Sequence, residues 1–266
     1  MLPLVANLTG LPGASLAGYA TARRAVASVA GRDRSEPGPR VLPGGGGPVV
    51  LVGGFCTTDV VLEPMRRWLG DLGYEVSTHT ANTGMGCGAR SVEEVRETVR
   101  EAARHDDSGA GVHVVGYSRG GQFARILATE PDSGIRSLVT LGSPFDPYRV
   151  GLAAVIPALA VLTAGTLGLP NLATASCVAG SCCADYRSRL RDPLPVPFTS
   201  IYSRQDRLVP WRASVDDGAR NIEVGGTHLD LVESRAARAA VAQALSRHAQ
   251  ALTGHGRPVS GIVRAS

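Results

Sequence analysis

Between residues 111 and 128 the chain passes from a strand-like run, Gly111-Val-His-Val-Val115, through Gly116-Tyr-Ser-Arg-Gly-Gly121, into a helix-like run, Gln122-Phe-Ala-Arg-Ile-Leu-Ala128. No other stretch constrains the fold as much. A strand that turns at once into a helix over Gly-x-Ser-x-Gly has one good solution, a sharp elbow at the edge of a sheet. The glycines two before and two after Ser118 keep side chains out of the crowded turn. The serine hydroxyl is then pushed out of the sheet, at a helix start whose free N–H groups favour negative charge.

The rest of the chain fits an open sheet around that elbow. Residues 1–47 read as an N-terminal appendage, with a helix expected from Ser15 to Val29, and a linker rich in Gly and Pro that ends in Gly44-Gly-Gly-Gly47. From Pro48 strands and helices alternate. Val49–Val52 is a short buried strand, Val60–Leu72 a helix and Tyr74–Thr78 a second strand. Ser91-Val-Glu-Glu94 reads as a capping box that starts a helix over Val92–Arg104. Beyond the elbow, Ser137–Leu141, Thr199–Tyr202 and Asn221–Val224 read as strands, and about Leu231–Leu252 as a closing helix. Alternation of this kind predicts an α/β fold with a doubly wound, mostly parallel sheet. The expected catalytic domain spans 48–254, with 145–195 as a cap or lid insertion and 255–266 as a C-terminal tail.

Composition excludes more than it assigns. The 27 basic residues are all arginine, and the net charge is +4. The arginines are scattered, with no basic stripe interleaved with aromatics, so no nucleic-acid partner is expected. The N-terminus lacks the charged-then-apolar layout of a secretory signal, which points to the cytoplasm or a membrane periphery. The five cysteines are Cys56, Cys87, Cys177, Cys182 and Cys183. They form no CxxC pair with matching partners, so no metal site is expected. One local disulfide among Cys177, Cys182 and Cys183 is the expectation.

From Gly151 to Ala184 no residue is charged, and Leu152–Leu169 is nearly all apolar. A membrane span needs about 20 such residues. Pro157, Gly165, Gly168 and Pro170 interrupt this one, and it lies between two core strands. An apolar cap over the elbow is the favoured reading, and peripheral contact with lipid through 151–184 is a further role open to it.

A serine hydroxyl needs a base within reach, and the base needs an orienting partner. In an open sheet both belong after the carboxyl ends of strands. Of six histidines, His228 alone follows a strand through a Gly-Gly turn, Gly225-Gly226-Thr227. Asp206 follows the strand Thr199–Tyr202 and is the expected acid, with Arg204 and Arg207 as its surface neighbours. Asp146, Asp216 and Asp217 are rivals. The order Ser118, Asp206, His228 is the one found in α/β-hydrolases. Developing negative charge also needs donors: the backbone N–H of Arg119, and that of Phe55 or, second, Cys56 in the loop after the first core strand.

With these pieces placed, the chain resembles the α/β-hydrolase superfamily, and within it bacterial lipases and esterases of the triacylglycerol-lipase type, actinobacterial ones especially. The likeness covers about residues 48–250 and rests on Pro48-Val-Val-Leu-Val-Gly-Gly-Phe55, Gly116–Gly121, Leu141-Gly-Ser-Pro144, Ser200-Ile-Tyr-Ser203 with Asp206, and Gly226-Thr-His228. Asn82-Thr-Gly-Met-Gly-Cys87 adds to it. The resemblance implies Ser118 as nucleophile, Asp206 as acid, His228 as base, and Phe55 and Arg119 as amide donors. It departs at Gly53, where the superfamily usually carries the His of a His-Gly pair. The expectation is a serine ester hydrolase without cofactor or metal, acting on a small-molecule or lipid ester with an apolar acyl group. Acyl transfer on the same triad, or a non-catalytic membrane-associated use of the fold, are the alternatives.

Overall fold

The computed structural model describes residues 47–106, 109–146, 149–253 and 261–264. The appendage and linker expected over 1–47 therefore lie, Gly47 apart, outside the described residues. Among the described residues seven strands form one sheet: β1 (Pro48–Val52), β2 (Glu75–His79), β3 (Val112–Tyr117), β4 (Ile135–Leu141), β5 (Phe198–Tyr202), β6 (Arg220–Glu223) and β7 (Gly261–Arg264). Their order is β2-β1-β3-β4-β5-β6-β7, and every neighbouring pair is parallel. The helices are α1 (Asp59–Asp71), α2 (Gly88–Arg104), α3 (Arg119–Ala128), α4 (Leu152–Thr166), α5 (Ala175–Ala179), α6 (Ala184–Ser188), α7 (Trp211–Ser214), α8 (Asp230–Glu233) and α9 (Arg235–Thr253).

The sheet is covered on both faces, as parallel sheets require. Alternate strand residues face opposite ways. Val49, Leu51, Val115, Tyr117, Val139 and Leu141 pack against Met65 and Leu69 of α1 and Val241 and Leu245 of α9. Val50, Val52, Val114 and Leu138 face the other way, onto Val95 and Val99 of α2 and Phe123 and Leu127 of α3. Each such side chain, fully buried, contributes about 1.5–3 kcal/mol. The chain runs from β1 outward to β2, then crosses to β3 on the other side of β1. The loops after β1 and β3 diverge at that crossing, and a crevice opens between them at the carboxyl ends of the strands.

Three sequence expectations are corrected. The helix read from Val92 starts at Gly88, with Cys87 as its cap. Ser91 already donates its amide to the Cys87 carbonyl at 2.9 Å and is buried, so it is an inner residue of the first turn and not a cap. The closing helix is two: Ser234 is extended, with ψ 152, and separates α8 from α9. The segment 255–266 is not simply a tail, because Gly261–Arg264 adds a strand in register with Arg220–Glu223. Two β-branched residues, Ile262 and Val263, suit an edge strand, but a run that short gives little periodicity to read.

Between β4 and β5 the chain leaves the sheet and forms α4, α5 and α6 with two short 3-10 turns, Ser181–Cys183 and Arg189–Arg191. Helix α4 has 15 residues, about 22 Å at 1.5 Å per residue, against a hydrocarbon core of about 30 Å. Among the described residues no helix is long and apolar enough to cross a membrane.

Candidate active site

Ser118 stands between β3 and α3 with φ 54 and ψ −128. That is a sparsely populated conformation for a residue with a side chain, costing about 1–3 kcal/mol, and it lasts only where the surroundings enforce it. Here they do. The Ser118 amide donates to the Leu141 carbonyl at 2.8 Å, which ties the elbow to the end of β4. The glycines are needed for close approach: a Cβ on Gly120 would lie 2.3 Å from the Val52 carbonyl oxygen, and one on Gly121 2.0 Å from Ser143 Oγ.

His228 and Asp206 meet. His228 Nδ1 donates to Asp206 Oδ2 at 2.5 Å. The other carboxylate oxygen accepts the amides of Leu208 at 2.8 Å and Val209 at 2.9 Å. Asp206 and His228 are 8% and 7% exposed, so the pair works with little competition from water. The loops that carry them are bonded to one another: Ser203 Oγ donates to the Gly226 carbonyl at 2.5 Å, and the Gly226 amide donates to Gln205 Oε1 at 2.7 Å. Ser118 and His228 line the same cavity.

The rival acids have other partners or none nearby. Asp146 pairs with Arg149 at 3.0 Å, Asp216 is held by the buried Arg125 at 2.6 Å, and Asp217 is exposed. Arg204, offered by the sequence as a neighbour for Asp206, pairs with Glu223 at 3.1 Å instead. Of the other described histidines, the exposed His105 lies 3.5 Å from Glu101 and three more are engaged elsewhere. His113 meets Ser137 Oγ at 2.6 Å, His248 meets Thr199 Oγ1 at 2.9 Å, and His79 meets Thr98 Oγ1 at 2.9 Å. Burial lowers all three imidazoles, His113 to about 3 and His248 to about 4.

Phe55 and Arg119 both border the cavity beside Ser118. The loop after β1 folds into a tight turn, with the Thr57 amide on the Gly54 carbonyl and the Gly54 amide on Thr57 Oγ1, each at 3.1 Å. Cys56, with φ 57, closes it. These two bonds do not consume the Phe55 amide. The Arg119 amide belongs to the first residue of α3, where N–H groups have no partner within the helix. The Arg119 side chain turns away, stacked 5.1 Å from the Phe123 ring and bonded to the Gly84 carbonyl at 2.5 Å.

Two residues matter here to which the sequence reading gave no role. Tyr117 donates to the His228 carbonyl at 3.2 Å, and its ring lies 5.0 Å from the imidazole. Burial, with Asp206 close by, pushes its phenol well above the ordinary value, so it stays a donor. The signal was parity: Tyr117 shares its face with Val115, the side on which the His228 loop returns. Gly142, with φ 56, is the second. A Cβ there would come within 3.2 Å of both Asp206 Oδ2 and the His228 ring. The loop after β4 thus passes directly under the pair.

The cavity encloses about 440 Å³, within the range of small-molecule sites. Its floor is Ser118, His228, Phe55 and Tyr117, and its roof comes from α4 through Ala153, Ala154, Pro157, Ala158 and Leu162. These recur at helical spacing on one face. The opposite face of α4 is apolar too: Leu152 is 85% and Ile156 74% exposed. Gln122, buried beneath, donates to the Pro144 carbonyl at 2.5 Å and accepts from Tyr186 Oη at 2.9 Å, joining α3 to the insert. Away from the cavity floor, the insert also gathers sulfur. Cys87, Cys177, Cys182 and Cys183 lie together, and all five cysteines are free thiols. The expected local disulfide among Cys177, Cys182 and Cys183 is therefore not formed, and their sulfurs gather instead with that of Cys87. Spacing within 177–183 could not reveal that Cys87 completes the group.

A family model described as palmitoyl protein thioesterase matches residues 48–160, from β1 into α4. No curated protein matches the chain. Among solved structures, DcsB in complex with its substrate analogue superposes with TM-score 0.57 at 12% identity, covering 78% of this chain and 92% of that one. The esterase domain of a Rhodothermus marinus protein does so with TM-score 0.53 at 19% identity, covering 80% and 90%. Est1E from Butyrivibrio proteoclasticus gives TM-score 0.52 at 18% identity, covering 77% and 90%. With the strand order, these likenesses identify the fold as that of an α/β-hydrolase.

Proposed function

We propose that this chain is a serine hydrolase that cleaves apolar acyl esters, thioesters included, through an acyl-enzyme on Ser118. One observation carries the reading: a strained serine and a buried His–Asp pair open onto a single apolar cavity. As Ser118 Oγ attacks the acyl carbon, His228 Nε2 takes its proton. Asp206, fixed by two backbone amides, holds the imidazole in the tautomer that can accept it and stabilises the charge that results. The proton passes to the departing alcohol or thiol. Water then attacks the acyl-enzyme with His228 as base, the carboxylic acid leaves, and Ser118 recovers its proton. The Phe55 and Arg119 amides are the proposed donors to the oxyanion, each worth about 3–4 kcal/mol. Gly53, in place of a histidine, removes one side chain that would brace that loop.

The alanine- and leucine-lined roof favours an aliphatic acyl group. The thioesterase family match supports thioesters beside the oxygen esters expected of a lipase-like chain. The outward Leu152 and Ile156 are where an apolar substrate phase or lipid surface would touch. A fluorophosphonate probe should label the wild type at Ser118 and leave Ser118→Ala unlabelled. Rates on p-nitrophenyl esters and acyl thioesters of graded chain length should rise from acetyl toward longer acyl groups. Equal turnover of every ester by Ser118→Ala would overturn the reading.

A further inference from the structure

We propose that Cys87, Cys177, Cys182 and Cys183 bind a single structural zinc ion that fastens the insert to the start of α2. The four Sγ atoms lie within 4.8 Å of one another. Cys87 Sγ is 3.6 Å from that of Cys182 and 3.5 Å from that of Cys183. Cys182 Sγ is 3.8 Å from that of Cys177 and 3.9 Å from that of Cys183. Four thiolates each about 2.3 Å from one zinc ion stand about 3.8 Å apart at the corners of a tetrahedron. The sulfurs already hold nearly that spacing. A cluster of several iron atoms would spread them farther apart, and two disulfides would draw them into two close pairs.

The surroundings suit a thiolate set. The Thr174 amide donates to Cys177 Sγ at 3.5 Å. Outer partners of this kind orient ligands and spread the excess negative charge of a four-thiolate zinc site. The Arg187 guanidinium holds the Cys177 carbonyl at 3.0 Å and the Gly180 carbonyl at 2.7 Å, which fixes the backbone between the ligands. On binding, each sulfur gives up its proton to solvent and donates an electron pair to the ion, and no oxidant or reductant takes part.

The placement says what the ion would do. Cys87 follows the turn in which Gly84 packs against the Gly54 carbonyl beside the elbow. The insert touches that turn once more, where the Ala173 amide donates to the Met85 carbonyl at 2.9 Å. A zinc ion would make this seam a covalent-strength joint between the roof of the cavity and the loop beside Ser118. It is a structural site: all four positions are filled by sulfur, with none open to substrate.

The test is metal content and coordination in the purified full-length chain. Plasma mass spectrometry should find about one zinc per chain, and the cobalt(II) form should show intense thiolate charge-transfer and tetrahedral d–d bands. Cys87→Ser and Cys182→Ser should lose most of the metal, whereas Cys56→Ser should keep it. Should the cluster variants fail to fold, titration of the wild type with a mercurial should release zinc in step with thiol modification. Iron in place of zinc, or a metal-free chain with all its thiols free in denaturant, would overturn the proposal, as would thiol loss to disulfides.

Discussion

The floor and the roof of the cavity are built on opposite plans. The floor is set by backbone. Gly120, Gly121 and Gly142 occupy positions where an added Cβ meets the Val52 carbonyl, the Ser143 hydroxyl or the His228 ring, and loops are stitched by bonds such as that from Ser203 to Gly226. The roof is set by composition. Helix α4 presents small apolar side chains inward, while its Leu152 and Ile156 face solvent. The difference teaches where tolerance lies: the floor fixes atoms, and the roof fixes a medium.

Substitutions should separate the two sharply. The largest effect belongs to Asp206→Asn, which keeps the shape of the pair but favours the wrong imidazole tautomer. The kcat on a short ester should fall about 10⁴-fold with the melting temperature little changed. A loss under tenfold would mean that the carboxylate only supports the fold. Next comes Gly120→Ala, whose Cβ would lie 2.3 Å from the Val52 carbonyl oxygen. It should cost about 3 kcal/mol in a denaturant melt. Gly168→Ala in the insert, with φ 100 but open space around it, should cost only about 1 kcal/mol of backbone strain. Equal costs would erase the contrast.

Acid should load the sheet and spare the insert, which contains no histidine between residues 145 and 195. His113 and His248 are held neutral in the fold, at about 3 and about 4, against an ordinary 6.5. The unfolded chain therefore binds more protons below pH 6.5, and stability falls as pH falls from there toward those folded values. Each histidine removes about 1.4 kcal/mol per pH unit in that window, as an upper bound. Denaturant melts at pH 7 and pH 5 check it, and no drop in midpoint would contradict the burial of both rings. The smallest effect is expected at Ile156→Gln on the outer face of α4, within about 0.5 kcal/mol of wild type. A larger loss would show that this face is covered in solution.

The floor was the more legible half in the sequence. The elbow needs a strand, a tight turn and a helix within 18 residues, all local, and the His228 loop follows a strand through two glycines. Asp206 could be ranked above Asp216 and Asp217 only by its place after a strand, and chain order, which Asp146 satisfies as well, does not separate Asp206 from Asp146. The burial of Asp206 and its two amide partners depend on how the 203–209 loop closes. The roof was legible as an apolar segment and no further. Helix α2 starts earlier than its apparent capping box because Cys87 and Gly88 lie against the insert, with Tyr186 within 3.2 Å of any Cβ at Gly88. The thiol group stayed hidden for the same reason: Cys87 is 95 residues from Cys182, and only the folded chain brings them together.

β4 and β5 pair directly, Leu138 opposite Phe198 through Leu141 opposite Ile201, although the whole insert lies between them in sequence. The sheet closes without regard to what the intervening chain contains. A longer, shorter or different stretch there would leave the strands, and the loops that carry Ser118, Asp206 and His228, in the same register. On the proposed reading, the stretch that would select the acyl group and the loops that would carry out the chemistry are separate segments of the chain, and one can be altered without moving the other.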